Sequence, residues 1–259
     1  MKAMIFAAGL GTRLQPLTNS IPKALVPLQG HPLIYYVMRK LQNAGFDELV
    51  VNVHHFAPML VKWLDENVSS EVSVMISDES DCLLDTGGGI RNAKRLLDGM
   101  QPFLVHNVDI MSDIDLRHLY KSHRSEALAT LSVSSRVSSR YLLFDNNMRL
   151  VGWVNETTGQ VRSPYPNLNP SLYNKYAFSG IHVIDPKVFE VMQEYDGKES
   201  RQGRSGFGKK FSIVDFYLAV AADYPIYGVN ADNARIVDVG KPQTLASLES
   251  LSQLEAMYF

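Results

Sequence analysis

Two glycines, an arginine and a lysine near the N-terminus are the residues of this chain best placed to handle phosphate. They lie in Met1–Lys23, MKAMIFAAGLGTRLQPLTNSIPK. The apolar run Ala3–Ala8 is short and bounded by glycine, which suits a buried strand of a parallel sheet. Gly9 and Gly11 then allow positive φ and close backbone approach to a ligand. Arg13 stands just past the bend, at the edge where open α/β sheets bind ligands. Exposed backbone N–H groups beside a guanidinium make a cradle for phosphate. Further on, Pro22 holds the chain extended and Lys23 supplies a second cation. The set predicts a triphosphate site. It is not a dinucleotide fingerprint, which needs a third glycine at fixed spacing, nor a P-loop, because GxxxxGK[ST] is absent. A tight strand-to-loop turn with a solvated arginine is the other reading of the same residues.

Two later segments carry related chemistry. In Asp85-Thr86-Gly87-Gly88-Gly89-Ile90, each glycine costs roughly 1 kcal/mol if placed in a helix. The run therefore predicts a loop and helix start where a ligand lies against bare backbone, with a flexible turn as the alternative. Pro102–Val105 reads as a short strand leading to His106-Asn107-Val108-Asp109. A carboxylate at the C-terminal end of a central strand is where a Mg²⁺ ion bridging a triphosphate is held. Asp109 could instead cap the following helix, a task equally open to Asp113 and Asp115. The pair His54-His55 is not a metal site on this reading. Neighbouring strand residues face opposite sides, and no acid accompanies them at ligand spacing.

The elements that must position these residues follow from periodicity. Leu33, Ile34, Val37, Met38, Leu41 and Ala44 repeat at helical spacing, with Gly45 placed to end the helix. Glu48–His54 is a strand, Pro58–Glu66 a helix and Val72–Ile76 a strand. This βαβα order predicts an α/β protein with a doubly wound sheet, its site at the C-terminal ends of the parallel strands. Leu116–His123 then reads as helix and Ala127–Ser134 as strand. Tyr141–Phe144 and Leu150–Asn155 flank Asp145-Asn146-Asn147 as a hairpin. A strand at Tyr176–Ile184, helices at Val188–Met192 and Ile213–Ala222, and strands at Pro225–Val229 and Ala234–Val239 come next. A terminal helix bears Leu245, Leu248, Leu251 and Leu254. The basic, glycine-rich stretch Asp196–Lys210 reads as a mobile solvated loop, or as a lid that meets an anionic ligand.

Composition narrows the partners. The 259 residues are 46% hydrophobic and 20% charged, with a net charge of −2, so no general attraction to nucleic acid or anionic lipid is expected. No stretch approaches the roughly 18 apolar residues of a membrane span. The N-terminal apolar run is shorter than the h-region of a signal peptide. A single cysteine, Cys82, excludes an intrachain disulfide and a cysteine metal cluster. The expectation is a cytoplasmic enzyme, monomeric or homodimeric.

The string Ala7-Ala8-Gly9-Leu10-Gly11-Thr12-Arg13-Leu14, then Pro16-Leu17-Thr18, then Pro22-Lys23-Ala24-Leu25-Val26-Pro27 resembles the signature of sugar-1-phosphate nucleotidyltransferases. The resemblance covers essentially the whole chain. It implies one domain over residues 1–259, a Rossmann-like, doubly wound mixed sheet in a three-layer α/β/α arrangement, and a sugar-binding portion at about 127–210. It places the nucleotide on Ala8, Gly9, Gly11, Thr12, Arg13 and Lys23, with Arg13 and Lys23 catalytic, and its base and ribose on Thr86, Gly87 and Gly88. The sugar falls to Glu156, Ser179 and Gly180. Magnesium falls to Asp109 and to Asp238, which precedes Val-Gly-Lys-Pro. Two departures stand out: Val108 where the family usually has glycine, and no lysine after Asn155-Glu156-Thr157 where many members have Glu-Lys-Pro. The implied reaction joins a nucleoside triphosphate to a sugar 1-phosphate and releases pyrophosphate. UTP with an amino-sugar phosphate is the first expectation, and GTP with a mannose- or heptose-type phosphate the second. A phosphocholine cytidylyltransferase, a molybdopterin nucleotidyltransferase and a non-catalytic nucleotide-binding regulatory homologue are the rivals.

Overall fold

The computed structural model describes residues 1–201 and 205–249. Strand β1 (Lys2–Phe6) turns Ala3 and Ile5 to one face and Met4 to the other, all fully buried. A strand apolar on both faces needs cover on both, the condition for a central parallel strand. A two-residue hairpin, β2 (Pro27–Leu28) and β3 (His31–Pro32), leads into α1 (Leu33–Asn43), which Gly45 follows at φ 88°. Next come β4 (Glu48–Val53), α2 (Ala57–Asn67), β5 (Ser73–Asp78), α3 (Asp85–Asn92), α4 (Lys94–Leu97) and β6 (Phe103–Asn107). β1, β4, β5 and β6 pair in parallel in the order β5-β4-β1-β6.

The chain continues through β7 (Ile110–Ser112), α5 (Leu116–Lys121), β8 (Ala129–Ser134), β9 (Arg140–Phe144), β10 (Leu150–Asn155), β11 (Val161–Arg162) and β12 (Asn174–Ile184). Then follow α6 (Val188–Arg201), α7 (Ile213–Val220), β13 (Ile226–Asn230), β14 (Ile236–Asp238) and α8 (Pro242–Glu249). The long strand β12 is where the sheet forks. Its C-terminal half lies antiparallel between β6 and β8, and its first residues pair with β9, which continues to β10 and β11. β13 adds parallel to β8, giving a ten-stranded mixed sheet.

Helices cover both faces. α1, α2, α5 and α8 pack on the face of Ala3, Ile5, Leu49 and Val51. α3, α4, α6 and α7 pack on the face of Met4, Val50, Phe103 and Val105. The arrangement is the expected three-layer α/β/α sandwich. No helix among the described residues is long and apolar enough to cross a membrane.

Two expectations change. Residues 196–201 are the last turns of α6 rather than loop. Residues 205–210 are fastened rather than free: Arg91 pairs with Asp196 at 3.0 Å, the Phe207 N–H donates to the same carboxylate, and the Phe207 ring lies 4.8 Å from Tyr195 and 4.9 Å from Phe211. Aromatic packing of this kind outweighs the charge that made the stretch look solvated. Residues 202–204, Leu251 and Leu254 lie outside the described residues. Asp115, not Asp109, caps α5, accepting from the His118 N–H at 2.8 Å.

Candidate active site

The turn after β1 is set by its glycine. Gly11 adopts φ 64°, and a Cβ there would fall 2.7 Å from the Thr18 methyl. Its carbonyl accepts from the Leu14 N–H at 2.8 Å and the Thr18 hydroxyl at 2.9 Å. This locks the bend and opens one helical turn, Thr12–Leu14. The N–H groups of Gly9 to Arg13 find no backbone acceptor among the described residues, and Gly9, Thr12 and Arg13 are exposed. Ala8, in contrast, is buried. Its N–H and that of Ala7 donate to Asn52 Oδ1 at 3.3 and 2.7 Å. Asn52, next to last in β4, lies opposite Phe6 of β1, and its amide donates to Glu79 Oε1 at 2.7 Å. Glu79 in turn accepts from the Leu84 N–H at 3.1 Å. Burial pushes the Glu79 carboxyl up, against the opposing pull of Asn52 and the Leu84 N–H. Neither Asn52 nor Glu79 has a motif around it. The only sequence signal is a polar residue inside the otherwise apolar β4.

The acids reach the same place by two routes. β6 runs parallel to β1 with Phe6 opposite Asn107, so Asp109 emerges beside the turn of β1. β14 pairs antiparallel with β7, which sets Asp238 opposite Ile110, and the Val239 N–H donates to the Asp109 carbonyl at 2.9 Å. That short ribbon is what closes the long sequence separation between the two aspartates. Arg13 lies 3.6 Å from Asp109 and 3.3 Å from Asp238, and Lys23 donates to Asp109. For Asp238, burial pushes the carboxyl up, but the Gly240 N–H and the Arg13 guanidinium outweigh it and hold the group below the usual carboxylate range. Gly240 is also required sterically. A Cβ on it would fall 2.7 Å from Asp109 Oδ2, 2.8 Å from an Arg13 nitrogen and 2.9 Å from Asp238 Oδ1. The buried ammonium of Lys40 donates to the Ser112 carbonyl at the end of β7, fastening the ribbon to α1. Burial lowers its pKa to about 8, although Asp113 and Asp115 pull the other way.

No group of three His, Cys, Asp or Glu side chains gathers among the described residues. Two carboxylates suit magnesium nonetheless, because that ion keeps several waters and takes its other oxygens from substrate phosphates. Val108 does not obstruct the site. Its side chain is buried in the core and its N–H donates to the Phe6 carbonyl at 3.2 Å.

The glycine triplet differs from expectation. Gly87, Gly88 and Gly89 lie inside α3, which begins at Asp85, and are buried. The Gly87 and Gly88 N–H groups donate to the Phe211 carbonyl at 2.9 and 3.2 Å, and the Thr86 hydroxyl accepts from the Ile213 N–H at 2.9 Å. The close approach that glycine permits is made by this protein's own segment 209–213, so the loop expectation is corrected to a packed helix start. On the sugar side, Glu156 pairs with Lys175 at 2.9 Å. Ser179 is turned inward, its hydroxyl donating to the Ser132 carbonyl at 2.9 Å, so its side chain is not presented to a ligand. Gly180, at φ 79°, sits in the irregular middle of β12. A Cβ there would fall 2.6 Å from the Asn107 amide, which places this backbone against the strand end that carries Asp109.

The fold agrees with comparison to known proteins. The family model described as nucleotidyl transferase matches residues 2–253. The chain is 45% identical over 254 residues to N-acetylmuramate alpha-1-phosphate uridylyltransferase of Caulobacter vibrioides, covering 96% of this chain and 95% of that protein. It is 31% identical over 201 residues to mannose-1-phosphate guanylyltransferase 1 of Arabidopsis thaliana, covering 74% of this chain and about half, 52%, of the plant protein. The structure of UDP-glucose pyrophosphorylase from Acinetobacter baumanii superposes with a TM-score of 0.72 at 18% identity, covering 96% of this chain and 91% of that one. A match along nearly the whole chain makes this protein a member of the nucleotidyl transferase family.

Proposed function

We propose that the protein is a sugar-1-phosphate nucleotidyltransferase that uses UTP and an N-acetylated amino-sugar 1-phosphate. The observation that carries the reading is the meeting of two cations and two carboxylates beside an open glycine turn. The similarity to the Caulobacter enzyme, which extends over 95% of that protein, favours UTP and the amino sugar. The guanylyltransferase relatives match at lower identity, 31% over about half of its length for the longer plant protein.

In this reading an oxygen of the sugar phosphate attacks the α-phosphorus of the triphosphate. The bond to the β-phosphate oxygen breaks in line, and pyrophosphate leaves. The attacking oxygen is already anionic, so no general base is required. The obstacle is the approach of two anions, and catalysis consists of alignment and charge neutralisation. Arg13 and Lys23 sit where they hold phosphate oxygens. The N–H groups of Gly9 to Arg13, without backbone acceptors among the described residues, supply further donors without adding charge. Asp109 and Asp238 would hold magnesium, which when bound neutralises developing charge on the triphosphate. Asn52 keeps the turn open by holding the Ala7 and Ala8 N–H groups from behind.

The test is pyrophosphate release from each of four nucleoside triphosphates against a panel of sugar 1-phosphates. UTP with an N-acetylated amino-sugar phosphate is expected to give the highest kcat/KM. Asp109→Asn and Asp238→Asn should each lower the magnesium-dependent rate by about 100-fold or more. Turnover at the wild-type rate in either variant removes that residue from the metal site.

A further inference from the structure

A cavity of about 340 Å³ whose lining includes none of Arg13, Lys23, Asp109 and Asp238 has three arginines in its wall. Arg140 begins β9, Arg162 ends β11, and Arg136 lies on the turn between β8 and β9. Each is held differently. Arg136 donates to the Phe178 carbonyl at 3.1 Å, and Arg162 pairs with Asp215 at 2.8 Å and stands 5.6 Å from the Trp153 ring centre. Arg140 has no carboxylate within ion-pair distance among the described residues. Among the described residues Asp215 is the only acid lining the cavity, so the described lining carries three positive charges against one negative.

The position of the cavity says what kind of anion it meets. Phe178 lines it, and two residues further along β12 Gly180 touches Asn107 at the strand end bearing Asp109. The lining also includes Ser212 and Val214, which flank Ile213, the residue whose N–H donates to Thr86. The cavity thus opens between the segment proposed to meet the sugar and the segment beside Thr86. The triphosphate and the 1-phosphate must meet at Arg13, Lys23, Asp109 and Asp238 for the in-line transfer. An anion at the arginine cavity is therefore a remote part of the sugar and not the reacting phosphate. Guanidinium forks match carboxylate geometry in a bidentate way, and the Trp153 and Phe178 rings offer apolar surface for the carbon atoms that carry it.

We infer that this cavity is a specificity subsite for a carboxylate-bearing substituent on the sugar ring, with Arg136, Arg140 and Arg162 as the groups that read it. The inference rests on the proposed reading that a sugar 1-phosphate lies against Gly180. It adds an assignment of which residues choose an acidic sugar over a neutral one. The two chemically matched probes are N-acetylmuramate 1-phosphate and N-acetylglucosamine 1-phosphate, which share the 1-phosphate and the N-acetyl group and differ by one carboxyl-bearing ether.

The experiment measures kcat/KM for both probes with UTP, following pyrophosphate, in the wild-type protein and in Arg140→Gln, Arg162→Gln and Asp215→Asn, with thermal melting of each. Wild type is expected to prefer the acidic sugar. In each arginine variant the ratio of kcat/KM, acidic over neutral, should fall about tenfold, mostly through KM. In Asp215→Asn, which removes the opposing charge, the ratio should rise. An unchanged ratio in the arginine variants, whether both rates fall together or neither does, overturns the subsite. A wild type that uses both sugars equally also overturns it while leaving the transferase reading intact. A wild type that releases no pyrophosphate with any triphosphate and sugar phosphate removes that reading and the subsite with it.

Discussion

Two glycine-rich segments of this protein, Gly9-Leu10-Gly11 and Gly87-Gly88-Gly89, look alike in composition and do opposite things. A Cβ on Gly9 would meet nothing within 4 Å, whereas one on Gly87 would overlap the Phe211 ring and one on Gly88 the Lys209 carbonyl. The first segment is an open turn whose N–H groups have no backbone partners among the described residues. The second is helical and buried, and the Gly87 and Gly88 N–H groups are taken by the Phe211 carbonyl. Glycine in the first place keeps the backbone reachable. In the second it lets one segment of the protein lie directly on another. Glycine density alone does not mark a ligand loop; what occupies the space of the absent side chain does.

The contrast breaks most readily at Arg13, because an open turn of N–H groups without its guanidinium lacks the charge to hold a triphosphate. Arg13→Ala should lower kcat/KM for pyrophosphate release by about 1,000-fold. The side chain is more than half exposed, so the melting temperature should barely move. A loss of less than tenfold would mean that the open turn is not the phosphate cradle. On the packed side, Gly88→Ala gains about 1 kcal/mol of helix propensity but drives a methyl into a backbone carbonyl that no rotamer change can relieve. Overpacking of this kind costs about 1–3 kcal/mol, and with the strain falling on backbone the net should be a loss of about 2 kcal/mol in urea unfolding. A neutral Gly88→Ala would show that segment 209–211 rests only loosely on α3.

The same contrast explains what was legible in the sequence. The βαβα order and the helix ended by Gly45 are local signals, readable from period and spacing. The run from Ala7 to Lys23 is local too, but its spacing leaves a solvated turn open until the likeness to the nucleotidyltransferase signature decides it. The glycine triplet is not local. Its environment is made by Phe211, far along the chain, and a propensity argument that sees only α3 predicts a loop. Ser179 misled for a related reason: the irregularity in β12 rotates its hydroxyl onto Ser132, and nothing in Phe178-Ser179-Gly180 announces that rotation. Asp238 was placed by family likeness, but the reason it meets Asp109 is the β7–β14 ribbon, two short strands outside the main sheet. Asn52 and Lys40 went unread because a polar residue within an apolar run gives no hint of which partner it serves. The arginine cavity draws on three separate strands and turns, so no spacing rule assembles it.

Beneath the packed glycines a row of rings runs inward. Phe211 lies 6.5 Å from Phe216, Phe216 6.1 Å from Tyr217, and Tyr217 5.9 Å from His182. Burial lowers the pKa of His182 to about 3, and neither of its ring nitrogens has a partner among the described residues. The unfolded chain protonates this histidine near pH 6.5. Between pH 6.5 and about 3 the unfolded state therefore binds more protons, and stability falls as the pH drops. From pH 7 to pH 4.5, His182 alone should remove about 2–3 kcal/mol. His182→Phe keeps a ring against Phe178 and should lose that much less over the same interval, read as the difference in urea midpoints at the two pH values. If wild type and variant lose stability in parallel, the acid sensitivity resides elsewhere, with His106, whose burial also lowers its pKa to about 3, the next group to replace.

The smallest expected effect isolates the open turn most cleanly. Gly9 does not adopt positive φ and has empty space where a Cβ would go, so Gly9→Ala should change folding stability by no more than about 0.5 kcal/mol. Gly11→Ala forms the control within the same turn. With φ 64° and the Thr18 methyl 2.7 Å from the new carbon, it should cost about 1–2 kcal/mol. A turn that receives a triphosphate along its backbone has a use for the space at Gly9 that folding does not. In Gly9→Ala the KM for the triphosphate should therefore rise about threefold or more, since a methyl holds the ligand off the N–H donors, while the KM for the sugar phosphate stays put. If both constants and the melting temperature match wild type, the space at Gly9 serves neither folding nor binding, and the distinction between an open glycine turn and a packed one loses its functional half.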